Sequence, residues 1–370
     1  MSSRQIVNEL SDYLRPPGQG VHAVSTGKKE IEAFTKSYLP DWDPSSGWRS
    51  YLEQLETKGQ TSFVAMLGIP SDCGAGIVRG AAWGPIEIRR ALKSAPVFDL
   101  GDVFTIPHFI DDEMLSIGQI RASQEALYPH IDEKERNLRP VSPISIAVRV
   151  VELLTKLCPS MKLMVLGGDH TVSWAPVSAL LKEKMKKLPK SELGIVHFDA
   201  HTDLTDKRLG VELCFATWAF HANELLGRDQ RLIQIGLRAS AKDKAYWESQ
   251  LGVKQIWASE ALKKSPKELG RQVLDHLRKK KIKMVYLTTD IDGTSSEWIS
   301  ACGTPEPGGL TPEHVLGVIE AIRDSEIECF GSDVVELAPP IAQNEKSLQS
   351  SVETTLRYVK AQIELLKSKP

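Results

Sequence analysis

Three apolar runs of strand length in this chain each end in a cluster of acids and imidazoles. Leu193-Gly194-Ile195-Val196 runs into His197-Phe198-Asp199-Ala200-His201-Thr202-Asp203. Met284-Val285-Tyr286-Leu287 runs into Thr288-Thr289-Asp290-Ile291-Asp292. Met161-Lys162-Leu163-Met164-Val165-Leu166 passes through Gly167-Gly168 to Asp169-His170-Thr171, and a helical stretch follows over about 172–185. An extended backbone has a side-chain period of two, so Asp199, His201 and Asp203 aim at one side, as do Asp290 and Asp292. Runs this apolar read as strands buried on both faces, and groups at their carboxyl ends face the crevice where such sheets bind ligands. Further strands read near 63–68, 231–236 and 327–333, alternating with helical stretches. A three-layer α/β/α fold with a central, mostly parallel sheet follows.

So many charged or imidazole groups packed together repel one another unless a cation sits among them. The glycines before His170 let the chain turn where a strand meets a helix, which brings that imidazole to the same sheet edge. The ligand set is then His170, Asp199, His201, Asp203, Asp290 and Asp292. It has no thiolate. Carboxylates with imidazole suit manganese, nickel, cobalt or iron better than a closed structural zinc site. Six groups around one ion leave no open position. Shared by two ions, they leave room for a bridging water, from which hydroxide forms near neutral pH. The residues by themselves read as a two-metal hydrolase.

The order of these segments resembles the signature motifs of the ureohydrolases, the family of arginase, agmatinase, formimidoylglutamase and guanidine hydrolase. The likeness extends through Leu67-Gly68-Ile69-Pro70-Ser71-Asp72-Cys73-Gly74, Gly84-Pro85-Ile86-Glu87-Ile88-Arg89 and Leu100-Gly101-Asp102-Val103. It continues in Gly303-Thr304-Pro305-Glu306-Pro307-Gly308-Gly309-Leu310 and Asp333-Val334-Val335-Glu336-Leu337-Ala338-Pro339. Together these cover roughly residues 63–345. The resemblance implies that His170 and Asp203 serve one ion and His201 and Asp292 the other, with Asp199 and Asp290 bridging. It gives Asp203 the role of carrying a proton to the departing amine. It gives Glu336 the guanidinium, whose paired N–H groups match a carboxylate.

Two departures from the family pattern bear on substrate. Arginases and agmatinases usually have a His-Gly pair about a dozen residues after the Asp-Ala-His-Thr-Asp run, and Phe215 stands in the place of that histidine. The loop after Asp292 reads Ser295-Ser296-Glu297-Trp298-Ile299-Ser300 where the family commonly has Asp-Pro. Phe215, Trp218 and Trp298 are expected to wall a small site, since guanidinium stacks on aromatic faces; Trp298 reads equally well as packing beneath its loop. The resemblance is greatest to guanidine hydrolases, which implies nickel in preference to manganese and guanidine or a small alkylguanidine as substrate. An agmatinase-type activity and a metal-holding partner for a paralogous subunit are the alternatives. The family implies a homo-oligomer, expected as a hexamer.

Composition sets the remaining bounds. A hydrophobic content of 41% in 370 residues supports one large domain, expected over 61–370. Residues 1–60 read as an extension packed on the body or on a neighbouring subunit, because Tyr13, Phe34, Tyr38, Trp42, Trp48 and Tyr51 are too many aromatics for a disordered tail. A formal net charge of −2 argues against nucleic acid as a partner. Arg278-Lys279-Lys280-Lys281 reads as a solvated helix end. There is no apolar run long enough to span a membrane and no signal peptide pattern. The cysteines at 73, 158, 214, 302 and 329 show no short paired spacing, so a cytoplasmic location is expected.

Overall fold

The computed structural model describes residues 1–21, 27–59 and 61–369; residues 22–26 and 60 of the expected extension lie outside it. Nine strands form one sheet: β1 (Leu14–Arg15), β2 (Val64–Ile69), β3 (Phe98–Val103), β4 (Lys162–Gly167), β5 (Leu193–Phe198), β6 (Leu232–Leu237), β7 (Lys254–Trp257), β8 (Met284–Asp290) and β9 (Glu328–Val335). Their order is β1-β3-β2-β4-β9-β8-β5-β6-β7, and every pairing is parallel except β1 with β3. β2, β4, β5, β6 and β8 are buried along their whole length, which is why they read as mostly apolar runs. Helices on both faces complete the α/β/α sandwich. They include Pro143–Leu157, Trp174–Lys184 and the closing helix Glu345–Lys367.

Three strands were not read from sequence. In β3, Asp99 and Asp102 interrupt the apolar pattern, yet both are buried. β7 has four residues and buries only Gln255 and Ile256 fully. β1 is two residues long and lies within the first 60 residues, where it pairs antiparallel to β3. The helix Ser3–Tyr13 before it buries Ile6, Val7, Leu10 and Tyr13 in the same core that holds Trp42 and Trp48.

The topology decides where a site can form. The chain builds β2, β3 and β4, leaps past two strand positions to lay down β5, β6 and β7, then returns to fill the gap with β8 and β9. The four central strands, β4-β9-β8-β5, therefore splay their carboxyl ends around one crevice, the place where open α/β sheets bind ligands. The runs singled out above leave the sheet at these ends: His170 after β4, Asp199 to Asp203 after β5, Asp290 and Asp292 at the end of β8, and Glu336 after β9.

Candidate metal centre

Tight local structure holds each group in place. After β4 the chain passes so close to the loop beyond β2 that a Cβ on Gly168 would lie 1.9 Å from the Ser71 carbonyl oxygen, so only glycine fits. Asp169 then accepts a bond from the Thr171 amide at 2.7 Å and starts the short turn His170–Ser173. Asp290 does the same after β8, its Oδ1 accepting from the Asp292 amide at 2.9 Å. Asp203 and Glu336 have φ of 51° and 71°. Such left-handed backbone costs a non-glycine residue about 1–3 kcal/mol, and strain of this kind gathers at functional sites.

The side chains converge. His170 Nδ1 lies 3.1 Å from Asp199 Oδ2, 3.2 Å from Asp203 Oδ2 and 3.2 Å from Asp290 Oδ2. His201 Nδ1 lies 3.1 Å from Asp292 Oδ2 and 3.4 Å from Asp199 Oδ1. Asp199 thus faces both groups, one through each oxygen. Ligand atoms of His170, His197, Asp199 and Asp203 all fall within 4.8 Å of one another, as do those of Asp199, His201 and Asp292. All of these residues are buried except the half-buried His201.

Electrostatics shows what such a cluster lacks. Among the described residues no lysine or arginine forms an ion pair with Asp199, Asp203, Asp290 or Asp292. Burial pushes the Asp290 carboxyl well above its usual range, and Asp292 and Asp199 push it further. Burial and Asp199 likewise raise Asp203. Burial lowers His201, but Asp199 and Asp292 outweigh it and lift the imidazole to about 12. His170 Nδ1 is buried among three carboxylate oxygens and makes no hydrogen bond of acceptable geometry to any of them. A proton on that nitrogen serves one acceptor, whereas a divalent cation among the three satisfies the nitrogen and the oxygens together. The donor set fits two hard or borderline ions: oxygen and imidazole, no sulfur, and two groups of ligand atoms joined through Asp199.

A sequence model of the arginase family matches residues 62–359. The chain belongs to the arginase family. It is 30% identical over 283 residues to a guanidinobutyrase of Pseudomonas aeruginosa, covering 75% of this chain and 79% of the relative. It is 32% identical over 304 residues to an agmatinase of Bacillus subtilis, covering 77% and 87%. An arginase from Medicago truncatula superposes with a TM-score of 0.60 at 20% identity, over 90% of this chain and 98% of the other, so the two share a fold.

Within this arginase-family site the outer residues divide by position. Glu336 is buried against β4, its amide donating to the Gly168 carbonyl at 2.8 Å and its Oε1 accepting from the His170 amide at 2.8 Å. Its Oε2 lies 3.7 Å from where a Cβ on Gly303 would stand, so the glycine keeps that side clear. Burial and the nearby Asp169 hold the Glu336 carboxyl well above its ordinary range. Trp218 differs from the expected pocket wall. It is fully buried, its indole N–H donates to Asp203 Oδ2 at 3.0 Å, and its ring packs against His170 and His197. It supports Asp203 from behind and has no surface for a substrate. Phe215 is half-buried with the Arg208 guanidinium 5.0 Å over its ring. Trp298 is 41% exposed, so it is not buried beneath its loop.

Several supporting residues escaped the sequence reading. His197 Nε2 donates to Asp199 Oδ2 at 2.8 Å, and its signal was in plain sight: it shares the two-residue alternation with Asp199, His201 and Asp203. Thr288 bonds His170 Nε2 at 3.0 Å and donates to Asp333 at 2.6 Å, which turns the other ring nitrogen toward the carboxylates. Thr304 donates to Asp292 Oδ2 at 3.0 Å. Arg238 donates to the carbonyls of Asp292 at 2.7 Å and Glu306 at 3.0 Å, tying the turn that carries Asp292 to the loop after it. Nothing in a lone Thr or Arg marks such roles before the fold is known.

Proposed function

We propose that the chain hydrolyses a C–N bond of guanidine or a small alkylguanidine, giving urea or a substituted urea and ammonia or an amine. His170, Asp199, His201, Asp203, Asp290 and Asp292 hold two divalent ions, nickel in preference to manganese. When bound, two such ions supply a hydroxide nucleophile near neutral pH. Glu336 pairs with the guanidinium N–H groups through Oε2, the oxygen beside Gly303. Asp203, raised by burial, holds a proton between the attacking water and the departing nitrogen, and the Trp218 N–H fixes its orientation. The half-exposed face of Trp298 is available for a planar cation to stack on. We read the assembly as a cytoplasmic homohexamer. Among the described residues no helix is long and apolar enough to cross a membrane.

The observation that carries this reading is the pairing of Phe215 with Arg208. At the position where relatives place a substrate-side histidine, this chain offers an aromatic ring and a guanidinium. A cationic tail, as in agmatine, meets a like charge there. The same pair favours one other reading, a guanidino acid whose carboxylate tail reaches the exposed Arg208, in keeping with the name of the Pseudomonas aeruginosa guanidinobutyrase. The test is urea release from guanidine, methylguanidine, agmatine, arginine and 4-guanidinobutyrate after reconstitution with nickel or manganese. The expected kcat/KM for guanidine or methylguanidine exceeds that for agmatine and arginine by at least about tenfold, or roughly 1.4 kcal/mol of transition-state binding. Agmatine or arginine turning over faster contradicts it. A preference for guanidinobutyrate that Arg208→Ala abolishes selects the guanidino-acid reading.

A further inference from the structure

A row of buried polar side chains crosses three neighbouring strands on its way to the metal centre. His197 on β5 stands in register with Gln234 on β6, and Gln234 with Gln255 on β7. All three are fully buried. Trp257 Nε1 bonds Gln255 Oε1 at 3.0 Å, Gln255 Nε2 bonds Gln234 Oε1 at 2.9 Å, and Gln234 Nε2 meets His197 Nδ1 at 3.1 Å. His197 Nε2 completes the row at 2.8 Å from Asp199 Oδ2.

The direction of this row is fixed by groups that have no choice. An indole N–H only donates, so Gln255 must turn its oxygen to Trp257 and its amino group to Gln234. Gln234 must then accept through its oxygen. Its amino group also lies 2.6 Å from the Thr202 carbonyl, which only accepts, and this fixes the same orientation from the other side. The remaining N–H of Gln234 therefore faces His197 Nδ1, which accepts. The His197 proton sits on Nε2 and points at Asp199.

We infer that His197 is a positioning residue and holds no ion: one ring nitrogen spends its lone pair on Gln234, and the other carries the proton that fixes Asp199 Oδ2. The His201 amide fixes the other oxygen, Oδ1, at 2.6 Å. Asp199 is the carboxylate that faces both His170 and His201, so its aim decides whether two ions share it. The sheet itself sets that aim, through Gln234, Gln255 and Trp257. This inference rests on the two-ion reading of the site and adds which residues orient it.

Ion binding without substrate tests it. Full-length protein is stripped, titrated with manganese by calorimetry, and its ions per chain are counted by elemental mass spectrometry. His197→Gln keeps a donor near Asp199 and is expected to bind two ions with affinity within a few-fold of wild type. His197→Leu and Gln234→Leu are expected to bind two ions at saturation with affinity about 10–100-fold weaker, the usual effect of losing such a partner. Should His197→Leu fail to fold, Gln234→Leu carries the comparison. One ion per chain in saturated His197→Gln makes His197 a ligand and overturns the inference. Wild-type affinity in Gln234→Leu overturns it as well. A wild-type chain that takes up two ions but releases no urea from any guanidinium compound counts against the proposed function and leaves this inference in place.

Discussion

Two of the buried charge clusters among the described residues solve the same problem in opposite ways. At one side of the sheet, Arg89 lies fully buried between Asp99 and Asp102 of β3. Its Nε and Nη2 bond Asp99 at 2.8 and 2.9 Å, and Nη1 bonds Asp102. The Tyr38 hydroxyl and the Gly101 amide donate to the same two Asp99 oxygens, and the Gly18 amide donates to the second oxygen of Asp102. Burial disfavours the charged guanidinium, but the two carboxylates outweigh it and hold it firmly charged. This cluster brings its own cation. The centre at β4, β5 and β8 gathers four aspartates and no lysine or arginine paired with them among the described residues. One cluster is a finished bolt. The other is a socket whose cation comes from outside, and the difference separates structure from function.

Asp290→Ala is the harshest blow to the socket. Losing a carboxylate beside both Asp199 and Asp292 is expected to cut activity by at least about a thousandfold, the several kcal/mol a bound ion supplies. Urea-release kinetics with ion counting checks it, and a variant that keeps two ions and full rate breaks the comparison. Arg89→Met attacks the bolt. It leaves two buried carboxylates uncompensated and is expected to lower unfolding stability by about 3 kcal/mol or more, read by denaturant titration. Ions per folded chain should stay at the wild-type number, since Arg89 bonds none of the six proposed ligands.

Metal removal should act on the socket only. With free ion at about 100 times its dissociation constant, binding is expected to stabilise the fold by about 2.7 kcal/mol. The same increment should appear in Arg89→Met, because the clusters share no residue. An increment that vanishes there would show them to be coupled. Tyr38→Phe is the mildest change. It removes one donor from the charged Asp99 and should cost about 1.5 kcal/mol. Because Tyr38 belongs to the first 60 residues, this measures how firmly the amino-terminal segment is bolted to the sheet.

The socket was far more legible in the sequence than the bolt. Strand alternation and apolar run-ups make Asp199, His201, Asp203, Asp290 and Asp292 stand out, because a strand end must aim such groups together. The structure brings them to one crevice with His170. β3 hid because Asp99 and Asp102 look like loop residues until Arg89, ten positions before Asp99, is known to lie between them. Trp218 was placed in the right neighbourhood with the wrong task, since sequence shows an aromatic near a site but not which side of the acid it packs on. His197 was overlooked for a related reason. Its role depends on Gln234 and Gln255, whose partnership exists only across β6 and β7.

If the socket is a metal centre, its buried acids and imidazoles hold two ions. Anomalous diffraction from crystals grown with manganese or nickel tests it directly. Two peaks about 3.5 Å apart are expected. At least four of His170, Asp199, His201, Asp203, Asp290 and Asp292 should ligate them, with Asp199 touching both. A single peak, or ions held by fewer than four of these side chains, would contradict it.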